Sequence, residues 1–170
     1  MRYQIEPLGK SHERGAFSCG NRELDDWFRR RAGQDARRNI ARIFVAVEPE
    51  MGIIGFYSLS AYTLSIEDLP KNIAHKLPNY DALPAALIGR LATDSKVQGK
   101  GVGELLLADA IRRVLGAMEK LAVFAIVVEA KNEVAVSFYE SFGFAQFPLH
   151  PNRLFLPTKE AISALGESVK

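Results

Sequence analysis

The sequence predicts a single domain of mixed α/β class spanning residues 1–170, and three observations predict it. Alternating or continuous apolar runs of strand length recur between segments whose apolar residues repeat with helical period. A glycine-rich turn, Gln98 to Gly103, joins a buried strand to a long helix, a strand–loop–helix unit instead of a hairpin. The chain length suits one core of ordinary size, and 48% hydrophobic with 25% charged residues is the globular balance.

The same composition excludes several classes. No apolar run approaches the ~20 residues needed to span a bilayer. The N-terminal M-R-Y-Q-I-E-P-L carries charge where a signal peptide has an apolar centre, and the lone Cys19 has no partner for an internal disulfide. A soluble, cytoplasmic protein without a membrane partner is expected. Net charge of +2 is too small to argue for nucleic acid, so only the distribution of basic residues is informative.

Taken in order, Tyr3–Leu8 reads as a first strand. Asn21 is placed to cap a helix whose first turn carries Glu23, Asp25 and Asp26 at the positive end of the dipole. Leu24, Trp27 and Phe28 supply its core stripe at i, i+3 and i+4. The rest of that helix is basic, with Arg29, Arg30, Arg31, Arg37, Arg38 and Arg42 close together. By themselves these are either a solvated face or a surface for a polyanion.

Ile43–Val47 and Ile53–Tyr62 read as two strands joined through Glu48–Gly52 as a hairpin. Residues 65–84, with prolines at 70, 78 and 84, read as a long loop around a short helix; such loops are usually functional. Ala86–Thr93 is a buried strand and Asp94–Lys96 a polar bend. A helix then runs from Val102 to about Lys120, with Leu105, Leu106, Ala110, Val114 and Met118 on its apolar face. Phe124–Ala130 is nearly all apolar, as in an interior strand. Asn132 caps a helix from Glu133 to Phe142 that ends at Gly143. Strands from Phe144 and around Arg153–Leu156 precede a terminal helix, Lys159–Leu165.

The glycine turn carries the chemistry. Glycines at 99, 101 and 103 strip it of side chains, so backbone N–H groups can converge on an anion at the positive end of the following helix, and a pyrophosphate is the natural occupant. A Walker A loop would need Ser or Thr after its Lys, and Gly101 follows Lys100. A dinucleotide fingerprint would follow a first strand, with an acidic residue after the second.

What remains is Gln98-Gly99-Lys100-Gly101-Val102-Gly103, a Q-x-x-G-x-G pattern directly after a strand ending Leu91-Ala92-Thr93-Asp94. It resembles the acetyl-CoA motif of the GCN5-related N-acetyltransferase (GNAT) superfamily. A second motif, Asn132-x5-Phe138-Tyr139-Glu140-x-Phe142-Gly143-Phe144, resembles the helix that lies beside the cofactor in that family. The resemblance implies a central, mostly antiparallel sheet with a splayed parallel pair, flanked by helices, and acetyl-CoA as co-substrate with no metal. It assigns the cofactor to Leu91, Ala92 and Thr93, chiefly through backbone groups of Leu91 and Thr93, to Gln98, Gly99, Lys100, Gly101, Val102 and Gly103, and to Asn132 and Phe138. Tyr139 matches the tyrosine near the thioester sulfur.

F-S-C-G, L-D-D-W-F, G-F-Y-S-L-S, the prolines at 70 and 84, G-R-L-A-x-D, Q-G-K-G-V-G, F-Y-E-S-F-G-F and L-F-L-P-T-K occur in that order from Phe17 to Lys159. Together they resemble a subgroup of GNAT toxins that acetylate the amino group of aminoacyl-tRNA and are encoded beside ribbon-helix-helix antitoxins. The resemblance implies both partners and a homodimer. Thr93 stands where the subgroup more often has Val, a departure of little consequence for a backbone contact.

Chemistry agrees with that resemblance. Collapse of the tetrahedral intermediate releases a thiolate whose conjugate acid has a pKa near ~8.5, and a phenol stays protonated to about pH 10, so Tyr139 can donate the proton. An α-amine with a pKa of about 8 is partly neutral without a strong base. A tRNA acceptor needs phosphate contacts, for which Arg29, Arg30, Arg37, Arg38, Arg42 and Arg90 are the candidates. His12, His75 and His150 have neither metal-ligand spacing nor a nucleophile nearby. Two alternatives stay open: a GNAT acting on a protein N-terminus, a lysine or a small amine, and a non-catalytic acetyl-CoA- or protein-binding module.

Overall fold

The computed structural model describes residues 2–169. In chain order the elements are β1 (Gln4–Pro7), α1 (Arg22–Arg30), α2 (Ala32–Arg37), β2 (Arg42–Glu48), β3 (Gly52–Ser65), α3 (Lys71–Ala74), β4 (Ala82–Thr93), α4 (Val102–Ala117), β5 (Ala125–Glu129), α5 (Glu133–Glu140), β6 (Ala145–Phe147), β7 (His150–Pro157) and α6 (Thr158–Val169). Short 3-10 turns occupy Ile66–Asp68 and Ser95–Val97. The hydrogen-bonded strand order is β1-β2-β3-β4-β5-β7-β6, with one parallel pair, so the sheet is mixed and mostly antiparallel.

Among the described residues the chain divides into two compact units, residues 2–60 with 88–112, and residues 61–87 with 113–169. In the first, β1 and β2 pair antiparallel with Ile5 opposite Ala46, and β2 and β3 with Phe44 opposite Tyr57. The expected hairpin turn is present: Glu48 Oε2 accepts from Glu50 N and Met51 N, and Gly52 takes the left-handed φ of 78°. One face of this sheet buries Phe17, Trp27, Phe28, Ala32, Ile43, Val45 and Phe56 together. Phe28 stacks on Phe56 at 4.1 Å between centroids, with Phe17 edge-on to both. Elsewhere in this unit Phe44 stacks on Tyr57, whose hydroxyl donates to Asp109 of α4. Close approach of α4 depends on Gly55, where a Cβ would lie 2.8 Å from Leu106 Cδ1 and 3.1 Å from Ala92 O.

In the second unit, β5 and β7 pair antiparallel with Val127 opposite Phe155, and β6 pairs antiparallel with β7. Leu64, Leu69, Ala85, Ala125, Val127, Phe147 and Phe155 form its core. Ala125 to Val128 are wholly buried, as their unbroken apolar run requires. Thr158 starts α6 buried, its hydroxyl donating toward the Val123 and Phe124 carbonyls.

Three expectations are corrected. The basic helix is two helices: Arg31 departs from helical geometry at φ −117°, and beyond this break Ala32 enters the core and Asp35 accepts the Trp27 indole N–H at 2.9 Å. The strand expected from Ala86 begins at Ala82, because Pro84 contributes only its carbonyl, which accepts from Phe124 N at 2.8 Å. On α4 the buried stripe is Val102, Leu106, Leu107, Ala110, Ile111 and Val114, and Leu105 is half exposed. The face is centred one residue away from the expected one, and the helix stops at Ala117.

Candidate functional site

In the first unit the end of β4, the turn and the start of α4 form one continuous strand–turn–helix segment. Asp94 N donates to Ile54 O at 2.8 Å, Arg90 N donates to Ser58 Oγ at 3.1 Å, and the Ala92 carbonyl approaches Gly55. Residues 90, 92 and 94 therefore address β3. Alternation along a strand turns the N–H and C=O groups of Leu91 and Thr93 to the opposite edge of β4. Ala92 is buried, and Leu91 and Thr93 are half-buried.

Past β4 the chain descends in two tight steps, Val97 N to Asp94 O and Lys100 N to Val97 O. Gly99 and Gly101 take φ of 80° and 83°, which L side chains rarely adopt, and a Cβ on Gly99 would meet nothing within 4 Å. The turn is thus glycine-rich for its dihedrals, while the space beside it stays open. Val102 is buried beneath the turn. Among the described residues no acceptor takes the N–H groups of Val102 or Gly103, the donors left at the start of a helix. Lys100 is exposed and free to add charge.

The Gln98 amide works inward. Its Nε2 donates to Cys19 O at 3.0 Å and lies 3.5 Å from Thr93 O. This bond draws in a segment whose own residues carry no evident chemistry, Phe17 to Gly20. Asp94 is 5% exposed and accepts from Ser18 N and Lys96 N; Asp25 is 6% exposed and accepts from Cys19 N at 2.8 Å. In the sequence, the available signal is the pair of aspartates in L-D-D-W-F, just after F-S-C-G, and in G-R-L-A-x-D.

The arginines separate into two kinds. Arg29 donates through Nε at 3.0 Å, and also through Nη2, to the Phe17 carbonyl. Arg42 clasps the α2–β2 turn, donating to Ala36 O at 3.1 Å and to Oδ1 of Asn39, itself left-handed at φ 60°. Arg90 lies over the Trp27 ring, 4.1 Å from its centroid. The side chains of Arg30, Arg37 and Arg38 are exposed, with no hydrogen-bond or ion-pair partner among the described residues.

In the second unit Asn132, Phe138 and Tyr139 share α5. Asn132 is its N-cap, Oδ1 accepting from Ala135 N at 2.9 Å. Gly143 ends the helical segment at φ 96°, as the F-Y-x-x-x-G-F pattern implies. The Tyr139 ring is buried edge-on against Phe138 and Phe144. Burial pushes its pKa up to about 12. Its hydroxyl has no hydrogen-bond partner among the described residues.

Of the histidines, His12 is held structurally, Nε2 2.8 Å from Glu6 Oε1 and Nδ1 accepting from Gly9 N; His150 lies 3.7 Å from Asp68. No helix is long and apolar enough to cross a membrane among the described residues.

Comparison with known proteins supplies the remaining context. Residues 39–146 match the family model described as the acetyltransferase (GNAT) domain. A probable toxin TacT from Sinorhizobium fredii is 30% identical, covering 95% of this chain and 94% of the relative. A tRNA-acetylating toxin from Mycobacterium tuberculosis is 36% identical over 89% of this chain and 90% of its own length. Among solved structures, a tyrosine-to-phenylalanine mutant of KacT superposes with TM-score 0.90 at 33% identity, covering 97% of this chain and 99% of that one. AtaT complexed with acetyl-methionyl-tRNAfMet gives TM-score 0.88 at 32% identity, with 97% and 99% covered. A mutant AtaT bound to acetyl-CoA and the C-terminus of its antitoxin AtaR gives 0.80 at 27%, with 96% and 98% covered.

Proposed function

Because this chain belongs to the GNAT acetyltransferases, we propose that it is a toxin that transfers the acetyl group of acetyl-CoA to the α-amino group of aminoacyl-tRNA and so blocks translation. The observation that carries the donor half is the turn: two left-handed glycines and unpartnered amides open α4 directly after β4. Gly99 to Gly103 would hold the pyrophosphate, and the backbone of Leu91 and Thr93, on the edge of β4 opposite β3, would take the pantetheine arm. Asn132 and Phe138 on α5 are proposed to meet that arm as well.

The neutral α-amine attacks the thioester carbon, a C–N bond forms, and the C–S bond breaks as the tetrahedral intermediate collapses. Tyr139 gives its phenolic proton to the departing sulfur and is reprotonated from the new ammonium through solvent. Burial raises the Tyr139 pKa to about 12, so the phenol is protonated and available as the donor throughout the physiological range. The acceptor half is supported by relatives that acetylate tRNA and by Arg30, Arg37 and Arg38, whose charges have no internal partner among the described residues. Arg29, Arg42 and Arg90 are proposed contacts of a lesser kind, since each also has work inside the chain.

A cytoplasmic homodimer neutralised by a ribbon-helix-helix antitoxin completes the proposal, supported by the ordered motifs from Phe17 to Lys159 and by an AtaT structure carrying its antitoxin's C-terminus. An acidic antitoxin segment laid over the arginines would exclude tRNA by charge complementarity. Induced expression without a partner should arrest growth and accumulate N-acetylated aminoacyl-tRNA, and Tyr139→Phe should greatly reduce both. Normal growth with the intact protein abundant and folded would contradict the proposal.

A further inference from the structure

We infer that residues 17–20 form a strap that sets the shape of the pyrophosphate turn, and that Asp25, Arg29 and Gln98 are positioning residues for acetyl-CoA acting through it; this rests on the acetyl-CoA reading above. The turn has little means of fixing itself. Its glycines carry no side chains, and a Cβ at Gly99 would touch nothing. Rigidity has to come from the residues just before it, and these are tied to the strap at three points. Ser18 N donates to Asp94 Oδ2 at 3.2 Å, Ser95 N to Ser18 O at 2.8 Å, and Gln98 Nε2 to Cys19 O at 3.0 Å.

The strap in turn hangs from α1. Cys19 N and Ser18 Oγ donate to the two oxygens of buried Asp25, at 2.8 and 3.4 Å. The Arg29 guanidinium grips the Phe17 carbonyl through Nε and Nη2, and the Phe17 ring lies against Phe28 and Phe56. Gly20 ends the strap at φ 90°, beside Ser95. The amides of Phe17, Ser18 and Cys19 and all three of their carbonyls are engaged within the chain. The strap therefore presents no backbone group of these residues to a ligand, and its effect falls on the turn it holds. Preorganised donors bind because their geometry is fixed in advance.

Gln98→Glu and Arg29→Lys test this with two donors, acetyl-CoA and S-acetylpantetheine, which lacks the pyrophosphate. Gln98→Glu sets a carboxylate against the Cys19 carbonyl; Arg29→Lys keeps the charge without the two-pronged grip. For both variants, kcat/KM with acetyl-CoA should fall by roughly tenfold more than kcat/KM with S-acetylpantetheine, short of the ~10²-fold that an ångström of misplacement can cost. Arg29→Lys should also leave the salt dependence of tRNA binding unchanged. Equal losses with both donors, or no loss with either, would overturn the strap. Calorimetric titration of the wild type with acetyl-CoA needs no acceptor and separates the two readings: a wild type without an isotherm overturns the donor assignment and this inference with it, whereas a normal isotherm with unaffected variants overturns the strap alone.

Discussion

The guanidinium of Arg90 lies over the indole of Trp27, 4.1 Å from the ring centroid, and the Trp27 N–H is donated to Asp35 at 2.9 Å. The residue just before the proposed cofactor segment of β4 is thus fastened to α1, and through Asp35 to α2. A half-buried cation–π contact contributes about 1 kcal/mol, so Trp27→Phe, which also leaves Asp35 without its donor, should cost about 2 kcal/mol in all. Thermal unfolding should shift down by roughly 4–8 °C for a chain of this size. A shift under a degree would show the contact to be incidental.

Gly101 sits at φ 83°, with Glu104 as its nearest neighbour. Gly101→Ala should cost about 1 kcal/mol of stability from backbone strain. Gly101→Asp adds a negative charge at the proposed phosphate position, and calorimetry should show acetyl-CoA affinity reduced well over tenfold. Equal affinity in the folded Asp variant would remove the anion-site argument.

Tyr139 makes a pH prediction as well as a mutational one. Tyr139→Phe should lower turnover by roughly 10²-fold with acetyl-CoA binding nearly intact. Because burial holds the phenol protonated to about pH 12, kcat/KM should rise as the acceptor amine deprotonates near pH ~8 and show no alkaline fall from this residue until close to pH 12. The same shift is a stability statement. The pKa is raised above the unfolded value of 10.0, so the contribution is complete below pH 10 and lost as pH climbs toward 12. An alkaline limb near pH 9 to 10 would assign the proton to another group.

Replacing Arg30, Arg37 and Arg38 together with Gln should flatten the dependence of tRNA affinity on log salt by up to about three units, roughly one for each phosphate no longer neutralised. Arg42→Gln should instead loosen the α2–β2 turn, lowering stability with a smaller change in slope. A triple variant with the wild-type slope would return these arginines to a solvated surface.

Local signals were legible wherever one residue's chemistry decides its conformation. Asn21 and Asn132 cap the helices they precede, Gly99, Gly101 and Gly143 occupy left-handed positions, and the apolar run at Ala125–Val128 is an interior strand. What escaped depends on partners distant in sequence. The break at Arg31 lies between Trp27 and its hydrogen-bond partner Asp35, and the contacts of Phe17–Gly20 emerge only when Asp94 and Gln98, nearly eighty residues on, are brought beside it. The arginines show the same limit: their number was visible, but the engagement of Arg29 with Phe17 and of Arg42 with Ala36 and Asn39 required the fold.

Transfer of labelled acetyl from acetyl-CoA to total aminoacyl-tRNA by the purified protein tests the central claim most directly. Label should become acid-precipitable and ribonuclease-sensitive, and mild base, which cleaves the aminoacyl ester, should release it as an N-acetylamino acid. Label that appears in protein or small amines, and never in tRNA, would contradict the account.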